Sequence, residues 1–485
     1  MAGLPRHARG VSITLQVVEV AFARKLCRTR IPFRFGAVTL HEAELLTCRA
    51  TIRDPQGGER VGWSADLLPP QWFRKDAAAT PQQDADELYA AAVSAAQCYV
   101  AQGPGSAFAV WRGVLAELVD SQDRDQADLL VRGFGVAIVE RALLDACCRL
   151  AGLPFAQALQ ADAFGFVPGA VHAQLSGWDW RVDLPEPRTH VAVRHTVGML
   201  DVLRTADLDP QHRADDGLPQ TLEEDLVAYG LSWFKVKIGA GVAQDRARLL
   251  DLAALFDGHR IAPQFTLDGN EQYEDLDQLA EVLETVAERR IGRELLSRVA
   301  LIEQPLARSD SFVAARHRAL ERVTRFAPLL IDEADSHPEA FVRALELGYR
   351  GVSVKNCKGV FRALCNLGIC KRGPGRFQSG EDLTNIGVLS LQQDLVTGAV
   401  LGLPHVERNG HHYFRGLDHL DDGLAERALA AHPDVYQRLV AAERPDAVAL
   451  RIESGRIEIR SLLTAVGYGH SCGDYAQSLQ VVATA

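Results

Sequence analysis

Apolar and polar positions follow two regimes along the chain. Up to about residue 165, Val11–Val18 and Leu45–Ile52 alternate with period two, which predicts half-buried strands. From Asp84 the spacing turns helical and ends in Val139–Ala146, so this part reads as an α+β unit. From about His195, short apolar runs alternate strictly with helical stretches. His195–Met199 predicts a strand, and Thr221–Leu226 opens a helix with a capping-box pattern. Trp233–Gly239 predicts the next strand, followed by a helix over Asp245–Phe256. Strands ending near Asp268, Glu303, Asp332 and Lys355 each precede a further helix, the first of them over Leu276–Arg289. Arg376–Gly380 and Pro404–Arg408 complete the set, with a helix over Ile386–Leu401 between them.

The spacing of the strand ends fixes the architecture. Lys237 to Asp268 is 31 residues, Asp268 to Glu303 is 35, Glu303 to Asp332 is 29 and Asp332 to Lys355 is 23. Each interval suits one strand–helix repeat, and eight repeats predict an α/β fold: a (β/α)₈ TIM-like barrel. The expected domains are an α+β capping domain over 1–165, a barrel over 166–425, and a C-terminal segment over 426–485 that packs back on the cap. In that last segment Leu424–Ala442 reads as helix, and Val448–Glu453 and Arg456–Arg460 as strands.

Chemistry concentrates at the strand ends, where such barrels carry their active sites. Lys235 and Lys237 alternate on one strand face, so both ammonium groups point the same way. Two desolvated like charges would lower each other's pKa, which is how a lysine becomes a base near neutral pH. Asp268, Glu303 and Asp332 on three successive strands would project hard oxygen ligands toward one point, a set that suits Mg²⁺ rather than zinc. Such an ion would neutralise a substrate carboxylate and stabilise the enediolate formed when its α-proton leaves. Lys355 would flank the ion from the side opposite Lys237, with Lys358 as a rival for that place. Asn270, Glu381, Glu407 and Arg408 are candidate substrate-binding residues, and Glu333 a supporting or alternative ligand.

These motifs resemble the enolase superfamily, specifically its mandelate racemase and muconate lactonizing branch. Ala142–Ala146 followed by Gly152–Pro154 looks like the family's helix before the barrel, and Lys235–Lys237 like its Lys-x-Lys motif. The resemblance gives Lys237 the role of base and Lys355 that of the opposing lysine. It makes Asp268-Gly-Asn270, Glu303-Gln-Pro305 and Asp332-Glu333 the three metal-ligand strands. It implies Mg²⁺ and proton abstraction from a carboxylate, with racemisation, epimerisation or cycloisomerisation as outcome, or dehydration of an acid sugar as the alternative. The seventh and eighth strand ends, Ser379–Asn385 and His405–Tyr413, depart from the family's known patterns, so substrate and outcome stay open. From other classes, a Schiff-base lyase would need only a lone lysine, and a binding protein could keep the fold without the chemistry.

Other features narrow the function further. A composition of 47% hydrophobic and 24% charged residues is ordinary for a globular protein, and a net charge of −11 without a basic cluster argues against nucleic acid. No apolar run is long enough to span a membrane, and Met1–His7 lacks the apolar core of a signal peptide, so a cytoplasmic protein is expected. The expected partners are a small-molecule carboxylate and further copies of the chain. The scattered cysteines read as reduced, mostly buried thiols. Gly239-Ala-Gly241 is a partial dinucleotide fingerprint without its third glycine. His411-His412-Tyr413 could be a metal or substrate group, but a solvent-facing loop is the favoured reading because adjacent histidines in a strand point to opposite faces. The segment around Arg34-Phe-Gly36 reads as a flap over the barrel mouth.

Overall fold

The strict strand–helix alternation resolves into a closed parallel barrel. In the computed structural model, which describes residues 12–36, 38–120, 125–439, 447–471 and 483–484, a three-stranded meander comes first. Its strands are β1 (Gln16–Phe35), β2 (Val38–Arg53) and β3 (Glu59–Leu68), antiparallel throughout. Three helices follow, α1 (Pro81–Ala101), α2 (Ala107–Leu118) and α3 (Gln126–Ala151). α3 is buried over most of its circumference because it lies between the meander and the barrel. Gly62 on β3 lets the sheet approach closely, since a Cβ there would collide with the carbonyl of Ala142.

Eight strands then pair in sequence order: β4 (His190–Val197), β5 (Trp233–Lys237), β6 (Gln264–Asp268), β7 (Val299–Glu303), β8 (Leu329–Ile331), β9 (Gly351–Val354), β10 (Phe377–Gly380) and β11 (His405–Arg408). β11 pairs back with β4, with Glu407 opposite Arg194, so the sheet closes without a free edge. Register places Lys237 opposite Asp268 and Asp268 opposite Glu303, so the site residues of adjacent strands lie at one level. On β5, Phe234 and Val236 face outward; Phe234 packs on Phe256 of the following helix at 5.0 Å between centroids.

The predicted helix over Leu424–Ala442 ends early. The helix is Asp422–Ala431, Pro433 stops its continuation, and Tyr436–Arg438 pairs as a strand with Val448–Leu450; residues 440–446 lie outside the described set. Arg456–Glu458 adds antiparallel to β4, and Ala483–Thr484 to β1. Cys27, Cys48, Cys98, Cys147, Cys148, Cys357, Cys365 and Cys370 are all free thiols; Cys472 lies outside the described residues. No helix among the described residues is long and apolar enough to cross a membrane.

Asp145 on α3 ties the pieces together. Its carboxylate accepts from the backbone amides of Trp63 at 3.0 Å and Tyr468 at 2.6 Å, and pairs with Arg149 at 2.9 Å and His470 at 3.1 Å. Burial works to raise its pKa, but His470 and Arg149 outweigh it and hold the carboxyl down at about 2. Because the folded value lies below the unfolded one, the contribution is present above pH 4 and lost as pH falls toward 2, about 2 kcal/mol. Asp145→Ala removes the carboxylate that Arg149, His470 and two amides share, and is expected to cost about 3–5 kcal/mol in urea unfolding. A loss below 1 kcal/mol would show that the cluster does not hold the fold.

Candidate active site

Strand alternation turns Lys235 and Lys237 into the barrel, at 1% and 7% exposure. Lys235 is the hub. Its Nζ lies 2.6 Å from Glu303, 3.0 Å from Asp268, and 2.9 Å from both Glu381 and Glu407. Burial opposes the ammonium, but Asp268, Glu303, Glu381 and Glu407 overcome it and hold the Lys235 pKa well above the ordinary value. Two repelling ammoniums, the picture the Lys-x-Lys spacing alone suggests, therefore does not describe Lys235. Spacing along one strand carries no information about carboxylates arriving from four others.

Lys237 pairs with Asp268 Oδ2 at 2.5 Å, and Lys355 with Asp332 Oδ2 at 2.5 Å. β5 and β9 lie four strands apart in a barrel of eight, so the two lysines enter from opposite walls. Asp268 and Glu303 meet at Lys235. Asp332 is taken up by Lys355, by Lys358 at 2.9 Å and by Ser353 at 2.6 Å, so the three carboxylates are not drawn to one point in this arrangement. Lys355 and Lys358 overcome the effect of burial and hold Asp332 well below the usual carboxylate range. Burial, then Asp268 and Glu381, push Glu303 well above it, although its Oε2 is ion-paired with Lys235; Oε1 accepts no hydrogen bond. Burial and Asp332 raise Glu333 to about 7.

The motif residues beside the ligands have structural work. Gln304 accepts from the amides of Asp332 at 2.9 Å and Ala334 at 3.2 Å, while its Nε2 donates to Leu306 O and Ser311 at 2.7 Å. It thus fixes the end of β8 from the end of β7. Asn270, with φ +43°, donates its amide to Asp268 Oδ1 at 2.8 Å, and its Nδ2 lies 3.5 Å from Glu333. Glu381 pairs with Arg194 at 2.5 Å, and Glu407 accepts from Thr196 at 2.8 Å and from the amide of Asp382 at 2.9 Å. Arg408 turns outward from the barrel, where Asp394 and Asp382 hold it. Asp394 lies on the helix Leu389–Val400, which the strand pattern of β11 does not reveal.

Two further expectations change. His411-His412-Tyr413 forms a buried helical turn, Gly410–Tyr413, rather than a solvent-facing loop, because the capping domain covers it: Phe33 stacks on Tyr413 at 4.0 Å. The amides of Gly239 and Ala240 are filled by the Asp245 carboxylate at 3.0 Å, which leaves no phosphate cradle. The tip of the β1–β2 hairpin does lie over the barrel: a Cβ at Gly36 would come 3.5 Å from Gln272 and 3.9 Å from Asn270.

Sequence reasoning missed a second cover. Trp72 puts its ring 4.3 Å from Lys355 Nζ. Lys75 donates to Asn270 O at 2.9 Å and pairs with Glu271 at 2.7 Å. Arg308 donates to Trp72 O at 2.8 Å and to Phe73 O at 2.6 Å. Nothing local marks Trp72–Lys75, since its partners lie hundreds of residues away.

This architecture is the fold of the mandelate racemase and muconate lactonizing branch of the enolase superfamily, as solved structures show. A muconate lactonizing enzyme from Pseudomonas fluorescens complexed with muconolactone has TM-score 0.60 and 17% identity, over 96% of this chain and 99% of that one. An enolase from Bradyrhizobium complexed with magnesium and mandelic acid has TM-score 0.59 and 16% identity, over 97% of each chain. The L-Ala-D/L-Glu epimerase of Bacillus subtilis has TM-score 0.58 and 15% identity, over 97% and 99%. No protein-family model and no curated protein sequence matches the chain.

Proposed function

We propose that this chain is a Mg²⁺-dependent enzyme of that superfamily, abstracting the α-proton of a small carboxylate substrate. Racemisation or epimerisation is the favoured outcome and cycloisomerisation the next. The observation that carries the reading is the pair Lys237 and Lys355, on opposite barrel walls and each ion-paired to a different candidate ligand, Asp268 and Asp332.

The residues fit the ion. Asp268, Glu303 and Asp332 are hard oxygen donors, buried at 0–1% exposure, and Glu303, ion-paired with Lys235 through Oε2, keeps Oε1 without a hydrogen bond. Those three would hold it. When bound, a divalent cation supplies neutralisation of the substrate carboxylate and of the charge that grows on it as the proton leaves. The protein does the rest. Lys237 takes the proton on one face and Lys355 returns one on the other, since inversion at carbon needs an acid opposite the base. Trp72 and the hairpin around Gly36 close the mouth against water. Lys235 stays charged and fixes the carboxylates through four ion pairs. The free thiols support a cytoplasmic setting, where cysteines stay reduced.

Deuterium uptake from D₂O tests the reading. With Mg²⁺ present, acid sugars, amino-acid derivatives and dipeptides are screened for exchange at the α-carbon. One class should exchange and invert, and exchange should stop with EDTA. Absence of exchange across all three classes, with borohydride trapping a lysine adduct, would replace proton abstraction by Schiff-base chemistry.

A further inference from the structure

A second polar cluster lies outside the barrel wall. Alternation along β4 turns Arg194 and Thr196 inward and His195 outward. There His195 meets Asp225, from the helix Leu222–Tyr229, and His412, from the turn after β11. Their exposures are 1%, 0% and 2%. One donor atom from each lies within 4.8 Å of the other two. Asp225 Oδ2 is 3.5 Å from His195 Nε2 and 3.1 Å from His412 Nδ1. Oδ2 has no hydrogen bond of its own, while Oδ1 of the same carboxylate lies within hydrogen-bond distance of His412 Nδ1, at 3.3 Å.

We infer that His195, Asp225 and His412 form a second metal site, separate from the carboxylates inside the barrel, that takes a Zn²⁺-type ion. The spacing fits: bonds of about 2.0–2.1 Å in a tetrahedral site put ligand atoms about 3.3 Å apart, between the two distances observed. The donor set fits as well, because two imidazoles with one carboxylate suit zinc, whereas Mg²⁺ prefers oxygen throughout. A supporting contact orients the first ligand. His195 Nδ1 lies 3.0 Å from His411 Nε2, so a proton held on Nδ1 leaves Nε2 free to face Asp225.

The ion's role is positional. It joins β4, the helix Leu222–Tyr229 and the turn Gly410–Tyr413 at one point. That turn is the seat of the capping hairpin: Arg30 donates to His412 O at 2.8 Å, and Phe33 stacks on the adjacent Tyr413.

The test uses the full-length protein with saturating Mg²⁺, so that the barrel carboxylates are already engaged. Elemental analysis after Zn²⁺ loading and desalting should find about one equivalent of zinc, and Co²⁺ in its place should give the intense visible bands of a four-coordinate ion. Asp225→Asn and His412→Gln should each lose both signals, while Asp268→Asn keeps them. Zinc binding that survives Asp225→Asn and His412→Gln but vanishes in Asp268→Asn would overturn the assignment, as would no zinc in the wild type. If those variants fail to fold, wild-type crystals grown with Zn²⁺ decide. Anomalous density between the three side chains supports the site, and its absence refutes it.

Discussion

Lys237→Ala and Lys355→Ala proteins will each lose overall conversion by about 10³-fold, the usual worth of a positioned acid or base, while still binding Mg²⁺. The ligands keep their places because neither depends on one lysine. Asp268 retains Lys235 at 3.0 Å and the Asn270 amide at 2.8 Å, and Asp332 retains Lys358 at 2.9 Å and Ser353 at 2.6 Å. In a two-base inversion, each variant still exchanges the α-proton of one enantiomer with D₂O, and the two variants choose opposite enantiomers. In a one-base reaction only one lysine supports exchange, and the other serves as acid or fixed charge. Full turnover in Lys355→Ala would move the second role to Lys358, which shares Asp332, or remove it.

Glu303→Gln should weaken Mg²⁺ binding and lower turnover by about 10²–10³-fold, corresponding to the several kcal/mol an ion contributes at such a site. Glutamine keeps the shape and one oxygen ligand but removes the charge. The fold should survive, because Lys235 still has Asp268, Glu381 and Glu407 around it. Isothermal titration with Mg²⁺ and a thermal melt separate the two effects. A variant with wild-type Mg²⁺ affinity would take Glu303 out of the ligand set.

The parts of this design that follow a period were readable in the sequence. β5 to β11 and the helices between them follow from alternation and spacing, and so does the level shared by Lys237, Asp268 and Glu303. What could not be read is which partner each charge finds. Lys235 gathers carboxylates from β6, β7, β11 and the end of β10, which only closure of the barrel brings together. Arg408 was a candidate for the substrate, but alternation beside Glu407 sends it to the outer wall and to Asp394. The histidines after β11 looked exposed because nothing nearby in the chain announces that Phe33 and Arg30 will cover them.

The boundary between cap and barrel is a boundary of chain order more than of mechanics. Glu140 of α3 accepts from the amides of Val360 and Phe361, at 3.0 and 2.7 Å, at the start of the barrel helix that follows Lys358. Next to it, Arg141 donates to Ala65 O on β3 at 3.1 Å and to Gln393 of another barrel helix at 3.2 Å. Neither unit can therefore melt while the other keeps its buried charges satisfied, and calorimetry should record one transition for both. The same wiring limits transplantation. A cap borrowed from a relative to alter substrate choice would arrive without its counterparts at Val360 and Gln393, so a functional chimera must exchange those helices along with it.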